Sequence, residues 1–299
     1  GVVVNGGSFT LRGGLISGNA SKALGGGVLV NSGSFTMLGD GAVSGNTAEN
    51  GGGVGVAGGS FEIRNGSVTD NKASNGGGVA VAGGSLVMSG GKIGENEASN
   101  GGGVSVHDGA AFEMAGGSVY GNTASSNGGG LLLEKGVSVE LDGGNINKNS
   151  ATGQGGGIYA DGLDFALSGA SVTENKADLG GGVADSAGVF TLEGGSVSQN
   201  TANSQGGGLY VVKSAAYLSG GSVSGNSAQY GGGAFIAEGA LSMPKNIITD
   251  NTATGGGAGV AFSNMKPQLS GVACVRGNTV NGAEADYWLE NGAVFAVAE

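Results

Sequence analysis

The chain has 299 residues, 71 of them glycine and only 2 proline, with 12% charged residues and a net charge of −11. Glycine off a three-residue period excludes collagen, and apolar residues that recur in register exclude simple disorder. Three arginines and nine lysines leave no basic stripe for nucleic acid, and the single cysteine, Cys274, excludes an internal disulfide and a CxxC metal site.

The chain opens in mid-pattern. Val2-Val3-Val4-Asn5-Gly6-Gly7-Ser8-Phe9 aligns with Val54-Gly55-Val56-Ala57-Gly58-Gly59-Ser60-Phe61. No basic segment followed by an apolar run opens the chain, so no signal peptide is visible in it, and no run reaches the ~18 apolar residues of a membrane helix. Each unit then holds a glycine triplet, V-x-V, F-x-[LIM], and [VI]-x-x-N with a small residue after it. Triplets begin at Gly25, Gly51, Gly76, Gly101, Gly128, Gly155, Gly180, Gly206, Gly231 and Gly255. The asparagines are Asn19, Asn46, Asn71, Asn96, Asn122, Asn149, Asn175, Asn200, Asn226, Asn251 and Asn278, spaced 25 to 27 residues apart. Near the end, Ala285 to Leu289 reads as a degenerate first strand and Val294 to Val297 as a second.

Period-two alternation predicts strands with one buried face, and no segment carries the 3.6-residue apolar period of a helix. Three short strands per unit fit one coil of an all-β parallel β-helix, or solenoid. Residues 1–299 then form a single domain of about eleven coils of 24–27 residues, roughly 50 Å long at the strand spacing of ~4.8 Å. Each residue column becomes a ladder along the axis. The asparagines are expected to bond to one another at a sharp bend, where asparagine tolerates left-handed backbone. The glycine triplets make the other corner. Cys274 falls in an apolar segment and reads as a small buried hydrophobe. Solenoids normally cap their open strand edges. The uncapped start predicts either a segment of a longer protein or a subunit that joins head to tail with its own copies.

Acidic residues recur in three column pairs: Asp70 with Glu95, Glu113 with Glu140, and Asp161 with Asp185. Converging carboxylates would suit polysaccharide cleavage. A solvated acidic face is the plainer reading, since Arg12, Arg64 and Arg276 partner none of them. Lys72 and Glu97 read as a surface ion pair. His107, beside Asp108, reads as a solvated loop histidine. The post-asparagine threonines Thr47, Thr123, Thr201, Thr252 and Thr279 are broken by Lys72, Glu97 and Lys176, which argues against an ice-binding array. No catalytic residue, metal ligand or cofactor is assigned. The middle residue of V-x-V is expected to point outward, and its column reads Leu29, Gly55, Ala80, Ser105, Leu132, Tyr159, Ala184, Tyr210, Phe235, Gly259 and Trp288. Within it, Leu132, Tyr159, Tyr210, Phe235 and Trp288 form a candidate contact column for sugars or a partner protein. Cover by another part of the polypeptide is the alternative.

The coupling of GGG[VIL] to [VI]xxN in every coil resembles the GGA[ILV] and FxxN repeats of chlamydial polymorphic membrane proteins. More broadly it is similar to the right-handed single-stranded β-helices of bacterial surface adhesins and autotransporter passengers, a fold shared with pectin lyase-like enzymes. Valine or isoleucine stands where the chlamydial motif has phenylalanine. The resemblance implies right-handed coils, as does the general chirality of parallel crossovers. It also implies a secreted or surface location, a structural or adhesive role without catalysis, and a host-surface protein or glycan as partner. A filament subunit joined through its coil ends is the alternative, and a polysaccharide-active enzyme the second.

Overall fold

The computed structural model describes residues 1–107, 109–245, 247–265 and 274–290. Among these, every regular element is a β-strand. Successive coils pair in parallel, and Thr279–Val280 with Ala283–Glu284 forms one antiparallel hairpin. The chain is a parallel β-solenoid with three sheets running along its length. The second sheet contributes one strand per coil, from Leu15–Ser17 to Cys274–Arg276, and its eleven strands count eleven coils. Each coil takes its name from the asparagine that follows this strand.

The V-x-V and F-x-[LIM] segments share the first sheet. They are continuous in Val2–Leu11 and Val28–Met37, then part at a bend from Val54–Val56 and Ser60–Ile63 onward. The residues after each asparagine form the third sheet, as in Lys72–Asn75 and Thr252–Gly256. The final V-x-V position is occupied by Tyr287–Glu290, paired to Val260–Ser263. Val294 to Val297 lies outside the described residues.

The bore is filled by columns of like residues. Phe9, Phe35, Phe61, Leu86 and Phe112 align coil by coil, with ring centroids 5.3 Å apart for Phe9 and Phe35 and 4.7 Å for Phe35 and Phe61. Val43, Val68, Ile93 and Val119 form another fully buried column. Burying each such side chain contributes about 1.5–3 kcal/mol, and β-branched residues suit the pleated wall. Cys274 aligns with Ile247 on the outward side, while Val275 takes the inward position beside Ile248. Cys274 is half-buried rather than a core residue, because it lies one residue off the apolar column.

The bend before the ladder is left-handed, but the residue that adopts it is not the asparagine. Gly18, Gly45, Asp70, Glu95, Gly121, Lys148, Glu174, Gln199, Gly225, Asp250 and Gly277 all have φ between 57° and 68°. Each immediately precedes a ladder asparagine. The asparagine thereby keeps an ordinary backbone and turns its amide inward. At the opposite corner, Gly51 has φ 62° and a Cβ there would strike the Val54 carbonyl. The last triplet is also displaced from its expected place. Ala234 pairs with Val260, so Gly257-Ala258-Gly259 makes that corner, and Gly255 and Gly256 extend the third sheet instead.

Candidate functional site

The asparagine ladder is unbroken from Asn19 to Asn278. Each Nδ2 donates to the Oδ1 of the asparagine one coil on, through ten bonds of 2.9–3.0 Å. Each backbone N–H donates to the same oxygen, as from Asn71 to Asn96 at 3.0 Å. From Asn46 onward the side chains are fully buried. The series ends on Asp286, whose Oδ1 accepts from Asn278 Nδ2 at 2.7 Å and from its backbone N at 3.2 Å. A carboxylate suits that place because a one-way ladder leaves two donors at its last rung.

A second, shorter amide series precedes the glycine triplets. Asn75 Nδ2 donates to Asn50 Oδ1 at 3.0 Å and Asn100 Nδ2 to Asn75 Oδ1 at 3.4 Å. Asn127 and Gln154 continue it through backbone N–H bonds to the preceding Oδ1. Its donors point the opposite way along the axis. The signal was present in the sequence as an amide before five successive triplets.

The candidate contact column is assembled in register, with Ser105, Leu132, Tyr159, Ala184, Tyr210 and Phe235 aligned coil by coil. Ala261 follows Phe235 and pairs with Trp288, so Gly259 is not a member. The column is not an open ladder. The segment leading into each triplet folds back across it. A Cβ on Gly55 would lie 2.5 Å from Gly25 N and against the Leu24 side chain, and one on Gly256 would lie 2.7 Å from the Trp288 ring. Tyr230 from the third sheet stacks on Trp288 at 4.6 Å, and Tyr210 on Phe235 at 5.7 Å. Leu132 is 7% and Phe235 3% exposed, whereas Tyr159, Tyr210 and Trp288 are half-buried. Burial, above all, raises the Tyr159 and Tyr210 hydroxyls above the usual tyrosine range.

The acidic pairs divide. Asp70 and Glu95 both occupy the left-handed bend, and Asp70 Oδ2 accepts from Ser44 Oγ at 3.2 Å. Glu113 and Glu140 stand opposite each other. Lys72 and Glu97 make an exposed ion pair at 2.6 Å, and Arg64 pairs with Glu62 at 2.6 Å. Thr47, Lys72, Glu97 and Thr123 do share one column. His107 Nδ1 lies 3.0 Å from Glu134 Oε2, a partner one coil away that sequence proximity did not suggest. Asp108 lies outside the described residues.

Asp161 and Asp185 do not share a column. Asp161 pairs with Ser186 and is exposed, whereas Asp185 pairs with Ala160. A one-residue offset in a strand changes the face, so Asp185 points into the bore. It follows Ala160 where other coils have Val56, Val81, Val106 and Leu133. Its side chain is 1% exposed and receives a hydrogen bond from Ser214 Oγ. The expectation of a solvated acidic face fails at this residue.

No family model, curated protein or solved structure matches this chain.

Proposed function

We propose that this chain is a non-enzymatic structural and adhesive rod of a bacterial surface, secreted or displayed outside the cell. The observation that carries the reading is the unbroken ladder from Asn19 to Asn278. Every coil is held to the next by backbone pairing in three sheets and by an amide bond in the same place, buried from Asn46 onward. Stretching or bending any section must break several of these bonds together, which suits a part whose work is to hold a length. The repeat's similarity to adhesin and passenger β-helices supports the location and role.

Adhesion is assigned to the outer edges of Tyr159, Tyr210 and Trp288, with Leu132 and Phe235 as their buried support. Half-exposed aromatic rings in one column suit stacking on sugars or packing against a host-surface protein. The test compares retention of the native protein on host-cell layers and glycan panels with that of a Tyr159→Ser, Tyr210→Ser double variant. Retention is expected to fall at least about tenfold, or about 1.4 kcal/mol, with an unchanged β circular-dichroism spectrum. Native protein held by neither cells nor glycans would remove the adhesive role. New reducing ends or unsaturated products from the glycans would overturn the non-enzymatic one.

A further inference from the structure

Asp185 lies in the bore between Ala160 and Val211, in a column otherwise apolar on both sides. Ser214, 5% exposed, comes from the bend of the next coil. Its Oγ contacts both Asp185 Oδ2 and the carbonyl oxygen of Gly188. Asp185 Oδ1 is buried without a hydrogen-bond partner. The bends around this contact are left-handed at Ala187 and Lys213, with φ of 57° and 55°.

Proton counting distinguishes the two states of this group. A serine hydroxyl has one proton to donate. Against an ionised Asp185, that proton can serve the carboxylate or the Gly188 carbonyl, which also accepts from the Ala215 backbone N–H, but not both, so one of the two Ser214 contacts holds no proton. Against a protonated Asp185, the carboxyl O–H donates to Ser214 Oγ and the serine proton passes to Gly188. Both contacts are then satisfied, and no charge is buried. Among the described residues, the surrounding segments bring no compensating cation into the bore. Ile158–Asp161 carries Asp161 and, in the outward column, Tyr159; Asp164–Leu167 carries Asp164, Leu209–Val212 carries Tyr210 in the outward column, and Val189–Leu192 carries no charged group. Lys213 sits in the bend before Ser214.

We propose that Asp185, Ser214 and Gly188 form a proton-operated clasp between the Asn200 and Asn226 coils. Protonating Asp185 completes the hydrogen-bond chain and tightens the middle of the solenoid, and ionising it loosens these two bends. This inference is independent of the adhesive reading. In agreement with it, burial pushes the Asp185 carboxyl up to about 6 from an ordinary 3.8, Asp164 and Asp161 push the same way, and the Ser214 bond opposes them. The folded chain thus holds this proton more tightly than the unfolded chain. Its contribution to stability is greatest below the unfolded value and is lost as pH rises through about 6.

The deciding experiment is infrared titration of the folded native protein, with Asp185→Asn to assign the band. A protonated-carboxyl C=O band should disappear with a midpoint near pH 6 and be absent from the variant. Hydrogen exchange corrected for intrinsic rate should slow at residues 186–189 and 212–215 on going from pH 7 to pH 5. Asp185→Asn, whose amide can donate to Ser214 at either pH, should stay protected at both. Relative to that variant, the native unfolding constant should be about tenfold lower at pH 5 than at pH 7. A native protein with no carboxyl band titrating between pH 5 and 7, or with equal protection of both bends at the two pH values, overturns the clasp. Both readouts need only the native fold, and Ser214→Ala, which should shift the band, replaces Asp185→Asn if that variant does not fold.

Discussion

Truncating Asn122 to alanine would remove two bonds that it donates, to Asn149 Oδ1 and Ile93 O, and two that it accepts from Asn96. The Asn96 backbone N–H would be left buried without an acceptor. An orphaned buried group costs ~1–3 kcal/mol beyond the lost bond, so Asn122→Ala is expected to destabilise by about 3 kcal/mol in denaturant unfolding. Asn19→Ala, at a half-buried rung, should cost about 1 kcal/mol. Gly121→Ala tests the left-handed bend instead. There is room for the methyl, since the nearest atom would be 3.5 Å away, so its cost of about 1 kcal/mol should reflect backbone conformation alone. The ladder was legible in the sequence because a polar residue kept step across the chain. Asp185 was not, because Ala184 and Ser186 beside it give no sign of which face it takes. Only its place after Val183 and Ala184, matched to Val54-Gly55-Val56, marks it as inward.

At the scale of the strand and corner, the sequence showed which residues alternate but not that each third-sheet segment folds back over the first. The clue lay in size. Leu24, just before its glycine triplet, faces Gly55, and Gly255 and Gly256, at the end of the third sheet, accompany the bulky Trp288 and Tyr230. Small residues in the V-x-V column are therefore sites of close approach, not gaps in a surface. Gly55→Leu should overpack this seam and destabilise by about 1–3 kcal/mol, measured by thermal or denaturant unfolding. The same substitution at a solvated position would be nearly neutral. The third sheet was hidden for a related reason: only alternate positions such as Ala124, Ala151 and Ala177 are apolar, and alanine carries a weak strand signal.

Across the whole molecule, the two amide series run in opposite directions, so their bond dipoles partly oppose each other along the axis. If the proposed role holds, electron micrographs across a concentration series should show isolated rods of roughly 50 Å, the length of eleven coils at ~4.8 Å each. Long fibres with that repeat would instead favour the filament alternative. The fold class was readable from periodicity because every coil repeats the same inward columns, and no long-range pairing had to be guessed beyond adjacency.

The regular ladder also makes length a heritable quantity. Each coil offers the same donors on one side and the same acceptors on the other, so a coil can be lost or copied without leaving a mismatched rung. Excising residues 97–122 would join Asn96 to Thr123 and bring Asn96 opposite Asn149. The product is expected to fold and to be shorter by about 4.8 Å in small-angle scattering, whereas a 20-residue excision at the same place should not fold. Genes for such chains can thus change length by counting whole coils, like links taken from a chain, with every intermediate remaining a regular solenoid.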